Sequence, residues 1–322
     1  MILPTFELHH PTTITELVEI ARDLTAQGEA FDYMAGGTDV LPNYKNRLNP
    51  RPHVISLARL AGLDEIGVDR IGARALVDDL ARSSVLSEHY PGLVEAARSV
   101  SSPPLRNLGT IGGNLLLDTR CWYFNQSEFW RESKGYCMKA DGDVCLVVPQ
   151  KEICYATYSG DLAPVLLVLD ARVTLVGPDG ERTVPLREFY AFDGITRFLK
   201  GPAELLTAVD IPSSSRELRT GYRKLRMRDT IEYPVAGVAL ALHTDGDKVG
   251  RLEVAVTGTE AIPLWYGDLD LTGQPATPAT AEALQEALVD RVTCYRNVPF
   301  PPGYRKAMTG EYARELFSAL VG

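Results

Sequence analysis

Two kinds of residue in this chain are suited to chemistry, and they lie side by side. Cys121, Cys137, Cys145 and Cys154 are four of its five cysteines, fall within 34 residues and are spaced C-x15-C-x7-C-x8-C. Just before them runs a glycine-rich turn, Asn107-Leu108-Gly109-Thr110-Ile111-Gly112-Gly113-Asn114, and just after them Gly160-Asp161-Leu162-Ala163-Pro164. Thiolates ligate metals and clusters, and glycine turns expose backbone N–H groups that hold anions such as phosphate. The pairing suggests two redox cofactors held close together.

The cysteines contain no C-x2-4-C knuckle of the kind that structural zinc uses, and no compact ferredoxin run. Four thiolates from separate loop turns can still converge on one cluster. The intervening Trp122, Tyr123, Phe124, Phe129, Trp130 and Tyr136 are expected to shield it, and Arg120, Arg131, Lys134 and Lys139 to offset its negative charge. The plain alternative is a set of ordinary buried cysteines, since free Cys is among the most buried residue types. Their density in polar, poorly periodic sequence favours the metal. Cys294 stands alone and is expected to be structural.

A second glycine loop, Ala35-Gly36-Gly37-Thr38-Asp39, follows the short apolar strand Phe31–Ala35. Taken alone, the first-loop tetrapeptide Gly36–Asp39 reads rather as a tight turn, and the 107–114 turn equally as a plain strand-to-strand connection; two glycine loops in one chain suit a dinucleotide, whose pyrophosphate needs several amides. Neither G-x-G-x-x-G nor G-x-x-x-x-G-K-[ST] occurs, so the common nucleotide signatures do not apply. Asp161 is placed to accept from ribose hydroxyls, or alternatively to cap a helix beginning at Leu162. Arg219, Arg223, Lys224, Arg226 and Arg228 make a basic strand, read as a solvated face unless one member reaches a cofactor. The five histidines have no ligand spacing, and His9-His10 needs no role. No G-x-S-x-G elbow supports hydrolysis.

These residues need a scaffold of two or three domains, given 322 residues, and 45% hydrophobic with 23% charged residues is an ordinary globular composition. A net charge of −9 argues against a nucleic-acid partner. No export signal and no bilayer-length apolar run is evident, so no membrane role and a cytoplasmic location are expected, where clustered cysteines bind metal rather than pair. The pattern predicts a strand and a helix over Glu7–Gly28 capped by Thr15, a strand at His53–Leu57, a hairpin over 63–72, and helices at Val77–Leu86 and Leu93–Val100. Ala163–Leu169 reads as a helix or a strand. Val173–Val176 and Arg182–Leu186 read as strands paired across Gly177-Pro178-Asp179-Gly180, and Leu205–Ile211 as another strand. A boundary is placed at Pro212-Ser213-Ser214-Ser215. Strands Tyr222–Arg228, Val235–His243 and Val249–Gly258 then precede helices Ala279–Arg291 and Tyr312–Leu320, an α+β tail.

With Ala35-Gly36-Gly37-Thr38-Asp39, Thr110-Ile111-Gly112-Gly113-Asn114 and Gly160-Asp161-Leu162-Ala163-Pro164 in hand, the chain resembles the FAD-binding subunits of the xanthine dehydrogenase and carbon monoxide dehydrogenase family of molybdenum hydroxylases. The resemblance implies an α+β fold: a two-lobed, PCMH-type (vanillyl-alcohol-oxidase-like) FAD-binding domain over 1–214, with lobes of about 1–58 and 59–214. A C-terminal α+β domain like that of carbon monoxide dehydrogenase flavoproteins would follow over 215–322. The 47 positions from Asn114 to Asp161 are far more than the family usually has there. The excess, about 115–158, is similar to the insertion of the 4-hydroxybenzoyl-CoA reductase β subunits, which implies a [4Fe-4S] cluster on Cys121, Cys137, Cys145 and Cys154.

Carried over by position, the resemblance puts the FAD pyrophosphate on Met34, Ala35, Gly36, Gly37, Thr38 and Asp39 and on Thr110, Ile111, Gly112, Gly113 and Asn114. It puts the ribose or ribityl region on Asp161, and Ile195, Leu206 and Lys224 near the flavin. No residue of this chain is expected to act on substrate. The implied partners are a molybdenum-cofactor large subunit and a [2Fe-2S] small subunit in a dimer of heterotrimers, with a ferredoxin-like carrier. The implied reaction, on a partner chain, is reductive dehydroxylation of 4-hydroxybenzoyl-CoA. Two alternatives stay open: an ordinary hydroxylase flavoprotein passing electrons to NAD or quinone with a zinc-stabilised insert, and a non-enzymatic zinc-stabilised interaction module.

Overall fold

The structure, a computed structural model, describes residues 2–322. Three small sheets follow one another along the chain. The first holds β1 (Glu7–His9), β2 (Phe31–Met34) and β3 (His53–Ser56), all parallel, in the order β1-β3-β2. Parallel neighbours need crossovers, and α1 (Ile14–Ala26) supplies the first. Its N-cap is Thr13, not Thr15: Thr13 Oγ1 accepts from the Glu16 amide at 3.1 Å while the Glu16 carboxylate accepts from the Thr12 amide at 2.7 Å. These two bonds, with the carboxylate reaching the residue before the cap, place the start two residues earlier than apolar spacing alone suggests. α2 (Val40–Lys45) follows the first glycine loop.

The second sheet is antiparallel, β4-β7-β5-β6, built from β4 (Arg70–Gly72), β5 (Arg172–Gly177), β6 (Gly180–Pro185) and β7 (Leu205–Asp210). Gly177 pairs with Gly180 across the expected Pro178-Asp179 turn. Between β4 and β5 the chain runs through α3 (Val77–Arg82), α4 (Ser84–His89), α5 (Pro91–Ser99), α6 (Pro103–Arg106), α7 (Ile111–Leu115), α8 (Glu128–Ser133) and α9 (Leu162–Val168). The single helix expected over Val77–Leu86 is broken at Ser83, whose hydroxyl accepts from the Leu86 amide at 3.2 Å and starts α4. A serine oxygen offers the backbone that alternative to a continuous helix. α9 is buried on every side, as a helix apolar all round must be.

The third sheet, β11-β10-β9-β8, comprises β8 (Arg219–Leu225), β9 (Ala236–Asp245), β10 (Lys248–Thr257) and β11 (Leu264–Trp265), followed by α10 (Pro278–Arg291) and α11 (Pro302–Val321). Alternation along β9 assigns its two faces. Val238, Leu240 and Leu242 pack with Leu284, Leu288 and Phe317 of α10 and α11. Ala239 and Ala241 join the core that contains α5 and α9, where small side chains let those helices approach. In Pro212–Ser215, where the boundary is expected, Ser213 and Ser214 are exposed while Ser215 is fully buried and donates to the Leu169 carbonyl at 2.7 Å.

The segment 115–158 leaves and returns through one stem. Arg120 and Thr157 exchange backbone hydrogen bonds at 2.7 Å, and Tyr158 Oη donates to the Asn114 carbonyl at 3.0 Å. Beyond the stem its own small core gathers Cys121, Phe124, Cys137, Ala140, Cys154 and Ala156 with Leu48 of the first lobe.

Candidate functional site: a cavity braced by a cysteine-bearing insert

A cavity of about 410 Å³ opens between the first two sheets. One wall is the loop after β2, Ala35 to Val40; another is Thr110 with Gly112–Asn114, Leu116 and Leu117; Glu204–Leu206, Leu57 and Asp161 complete the lining. Ile231–Tyr233, from the β8–β9 connection, overhang the mouth. There two non-glycine residues adopt left-handed backbone, Ser101 (φ 45°) and Ile231 (φ 52°), and the Ile231 amide donates to the Ser101 carbonyl at 3.2 Å. For a β-branched residue that conformation is strained.

The two glycine loops differ in what they leave available. The amides of Gly36, Gly37, Thr38 and Asp39 donate to no protein acceptor and line the cavity. In the second loop four amides are taken: Ile111 donates to Ala75 (3.0 Å), Gly112 to Ala73 (2.9 Å), Gly113 to Thr110 Oγ1 (3.1 Å) and Asn114 to the Thr110 carbonyl (2.9 Å), while that of Thr110, which lines the cavity, donates to no protein acceptor. The amides left free for a pyrophosphate are therefore those of the first loop and, on the second, that of Thr110. The second begins α7, with Thr110 as its N-cap, instead of forming a strand connection. Glycine is needed for contact between the loops: a Cβ on Gly36 would collide with the Leu108 carbonyl, and one on Gly112 would stand 2.8 Å from the Ala73 oxygen. These free amides, the cavity and its apolar walls fit a bound dinucleotide.

Asp161 does not cap α9; Asn114 Oδ1 does, accepting from the Leu162 amide at 3.1 Å. The Asp161 carboxylate accepts instead from Lys224 Nζ (3.0 Å), Tyr222 Oη (2.8 Å) and Ser99 Oγ (3.3 Å). A carboxylate has about four acceptor positions, so room remains for one hydroxyl from the cavity. Lys224, expected near the flavin, does not reach the cavity wall; its ammonium bonds Asp161 and the Ser99 carbonyl (2.9 Å). Burial pushes the Lys224 ammonium down, against the pull of Asp161. With both side chains at most 4% exposed, Lys224→Met leaves a buried carboxylate without its cation and is expected to cost about 3–5 kcal/mol. Urea unfolding measures this, and Asp161→Asn added to Lys224→Met is expected to recover part of the loss.

Of the other expected residues, Leu206 lines the cavity. Met34 and Ile111 lie outside its wall, Ile111 fully buried in the core because it faces inward from α7. Ile195 is also outside, 44% exposed on a loop that covers the cysteines instead. Gly194 beside it donates to the Cys154 carbonyl at 2.7 Å, and a Cβ there would stand 2.9 Å from Cys154 Sγ.

All four clustered cysteines are buried and unpaired, and they line one small cavity together. Burial pushes the Cys121 thiol up to about 12 and that of Cys154 up to about 11, so without a metal both stay protonated. Four thiols in one pocket are a donor set that suits a [4Fe-4S] cluster or a zinc ion with four cysteine ligands. Tetrahedral zinc would draw the sulfurs to roughly 3.8 Å from one another, given Zn–S bonds of about 2.3 Å. Among the described residues the one set of three or more metal-capable ligand atoms within 4.8 Å of one another is elsewhere, so no three of the four sulfurs lie that close together.

The expected shielding and basic residues divide. Phe124 is buried against the sulfurs, while Trp122 (47% exposed) and Phe129 (81%) face outward. Of the four cations only Lys139 lines the cysteine cavity. It is buried, donates to Asp118 Oδ1 (2.7 Å), Thr119 Oγ1 (2.6 Å) and the Gly194 carbonyl (2.6 Å), and lies 4.9 Å from the Phe124 ring centroid. Burial opposes the Asp118 charge, but Lys139 and Arg197 outweigh it and hold the carboxyl below its ordinary range. Arg131 instead ties the insert to the first lobe through the Arg47 carbonyl at 2.9 Å. Arg120 reaches the other site: it is ion-paired with Asp39 and donates to Tyr233 Oη at 2.8 Å. The insert thus braces the loop that carries the free amides. Nothing in the local pattern marked Tyr233, Tyr222 or Ser99, because each acts through a partner distant in sequence.

The family profile described as "FAD binding domain in molybdopterin dehydrogenase" matches residues 4–214. The aldehyde oxidoreductase FAD-binding subunit of Escherichia coli is 34% identical over 66% of this chain and 71% of its own length. The carbon monoxide dehydrogenase medium chain of Afipia carboxidovorans is 29% identical over 98% of this chain and 96% of its own. Among solved structures, carbon monoxide dehydrogenase from Hydrogenophaga pseudoflava superposes with a TM-score of 0.79 at 24% identity, covering 99% of this chain and 98% of that one. That likeness shows a shared fold, the expected FAD-binding architecture of mixed α and β structure. No described helix is long and apolar enough to cross a membrane.

Proposed function

Because this chain belongs to the family of FAD-binding domains in molybdopterin dehydrogenases, we propose that it is the electron-transfer flavoprotein subunit of a molybdenum enzyme that also carries a [4Fe-4S] cluster on Cys121, Cys137, Cys145 and Cys154. The observation that carries this reading is the convergence of those four buried cysteines on one cavity, in an insert whose stem is built into the wall of the FAD cavity. The free amides of Gly36–Asp39 take the pyrophosphate, Asp161 accepts from a ribose or ribityl hydroxyl, and Lys224 holds Asp161 in place. Leu206 and Leu57 exclude water behind the cofactor. Lys139 places a buried positive charge beside the thiolates.

FAD, when bound, matches one-electron carriers to two-electron chemistry. The partners are a molybdenum-cofactor large subunit and a [2Fe-2S] small subunit, with a ferredoxin-like protein as external carrier. The compound reduced on the large subunit is 4-hydroxybenzoyl-CoA, which takes up two electrons and two protons, loses its ring hydroxyl as water and leaves benzoyl-CoA. A second reading is supported by the relatives that span the whole chain, named as carbon monoxide dehydrogenase medium chains. In it the subunit serves an oxidative hydroxylase, passes electrons to NAD or quinone, and holds zinc in the insert.

Anaerobic absorption and EPR spectra of the intact complex, with metal analysis of this chain, separate the two. The first reading expects about four irons and four sulfides per chain; zinc without iron sinks it. The substrate has its own test: 4-hydroxybenzoyl-CoA added to the reduced complex should restore the oxidised flavin spectrum. Failure there removes the substrate and leaves the cluster standing.

A further inference from the structure

Alternate side chains of a strand share a face, so Glu7 and His9 project together from β1. The parallel register sets Glu7 beside His53 at the start of β3. His9 Nε2 lies 3.1 Å from His53 Nδ1, and the Glu7 carboxylate stands 3.8 Å from the former and 3.7 Å from the latter. This is the set of ligand atoms within 4.8 Å of one another noted above. Glu29 approaches the other nitrogen of His53, Nε2, at 4.0 Å.

We propose that Glu7, His9 and His53 form a binding site for a zinc-class divalent cation, with water as fourth ligand and Glu29 orienting His53. Bonds of about 2.0–2.2 Å from tetrahedral zinc to nitrogen and oxygen place neighbouring ligand atoms about 3.3 Å apart, so side-chain rotation alone closes these three around an ion. Two imidazole nitrogens facing each other at 3.1 Å share one proton at best when neutral, and a cation between them engages both lone pairs. Imidazole with carboxylate suits zinc, cobalt or nickel over magnesium or calcium. A carboxylate at the far nitrogen of a ligating histidine is the usual means of fixing its tautomer. The rings are largely buried while Glu7 is 67% exposed, so an ion reaches the site from solvent. The ion ties β1 to β3, the strand beside the one that delivers the free amides of Gly36–Asp39.

The test must be blind to the cysteines, so it is run on the anaerobic holoprotein with its native metal in place. Dialysis against Zn²⁺ should add one zinc per chain by elemental mass spectrometry, and Co²⁺ should give weak visible bands without thiolate-to-cobalt charge transfer. Both should vanish in His9→Ala/His53→Ala. Glu7→Gln, at an exposed position that leaves the fold intact, should weaken uptake, and Glu29→Gln should weaken it about tenfold. Wild-type protein that gains no metal overturns the proposal. So does undiminished uptake in the Glu7→Gln and double-histidine variants, or a cobalt spectrum dominated by thiolate charge transfer.

Discussion

Gly36→Val is expected to strip FAD from the purified protein. A side chain at this position collides with the Leu108 carbonyl, which is backbone and cannot swing aside, so the two glycine loops must separate. The amides of Gly36, Gly37, Thr38 and Asp39 then leave the cavity wall. Losing two hydrogen bonds to a charged phosphate, worth about 1.5–3 kcal/mol each, weakens binding by more than about a hundredfold. The flavin-to-protein absorbance ratio after gel filtration measures this, with circular dichroism as the control for folding. Gly113→Ala is the matched mild variant: its Cβ meets only the Thr110 hydroxyl at 3.1 Å, a side chain that can yield slightly. Gly36→Val protein with near-stoichiometric FAD would show that the first loop is not the phosphate cradle.

The second large effect is expected at the insert. Cys137→Ser with Cys154→Ser should lower the iron of this chain from about four to below about one and abolish its cluster EPR signal, because two hydroxyls cannot replace two of four thiolates. FAD content should persist, since the cavity wall keeps Gly36–Asp39 and Asp161 whether or not the insert holds metal. Loss of both cofactors together would mean that the insert is needed to hold the flavin cavity open, through the Arg120–Asp39 ion pair. Unchanged iron in the double variant would place the metal elsewhere. Cys294→Ser is the control: this cysteine packs beside the core of α10 and α11 and lies outside the cysteine cavity.

The legible parts of the chain were those whose cause is local. The Pro178-Asp179 turn, the apolar stripe of α1 and the strands β2, β3 and β7 follow from turn chemistry and periodicity within a few residues. The same is true of the motifs: a run of glycines and a cluster of thiols carry their chemistry in their side chains. Where reading failed, the neighbouring residues offered two local outcomes and packing chose between them. Ser83 breaks a helix that its apolar pattern would have continued. Thr110-Ile111-Gly112-Gly113-Asn114 becomes a capped helical turn with the amides of Ile111 to Asn114 already engaged.

By itself the sequence determined that this chain has two glycine loops and a thiol-rich segment following the second, because glycine's missing Cβ and cysteine's sulfur are properties of single residues. Only the tertiary structure decided which amides stay free, that Asn114 and not Asp161 caps α9, and that Lys224 serves Asp161 across 63 positions. It alone brought His9 to His53 across 44 positions and Arg120 to Tyr233 across 113. Those pairings are set by sheet register and by which faces must be buried, so they depend on the whole chain at once and leave no mark on the residues around either partner.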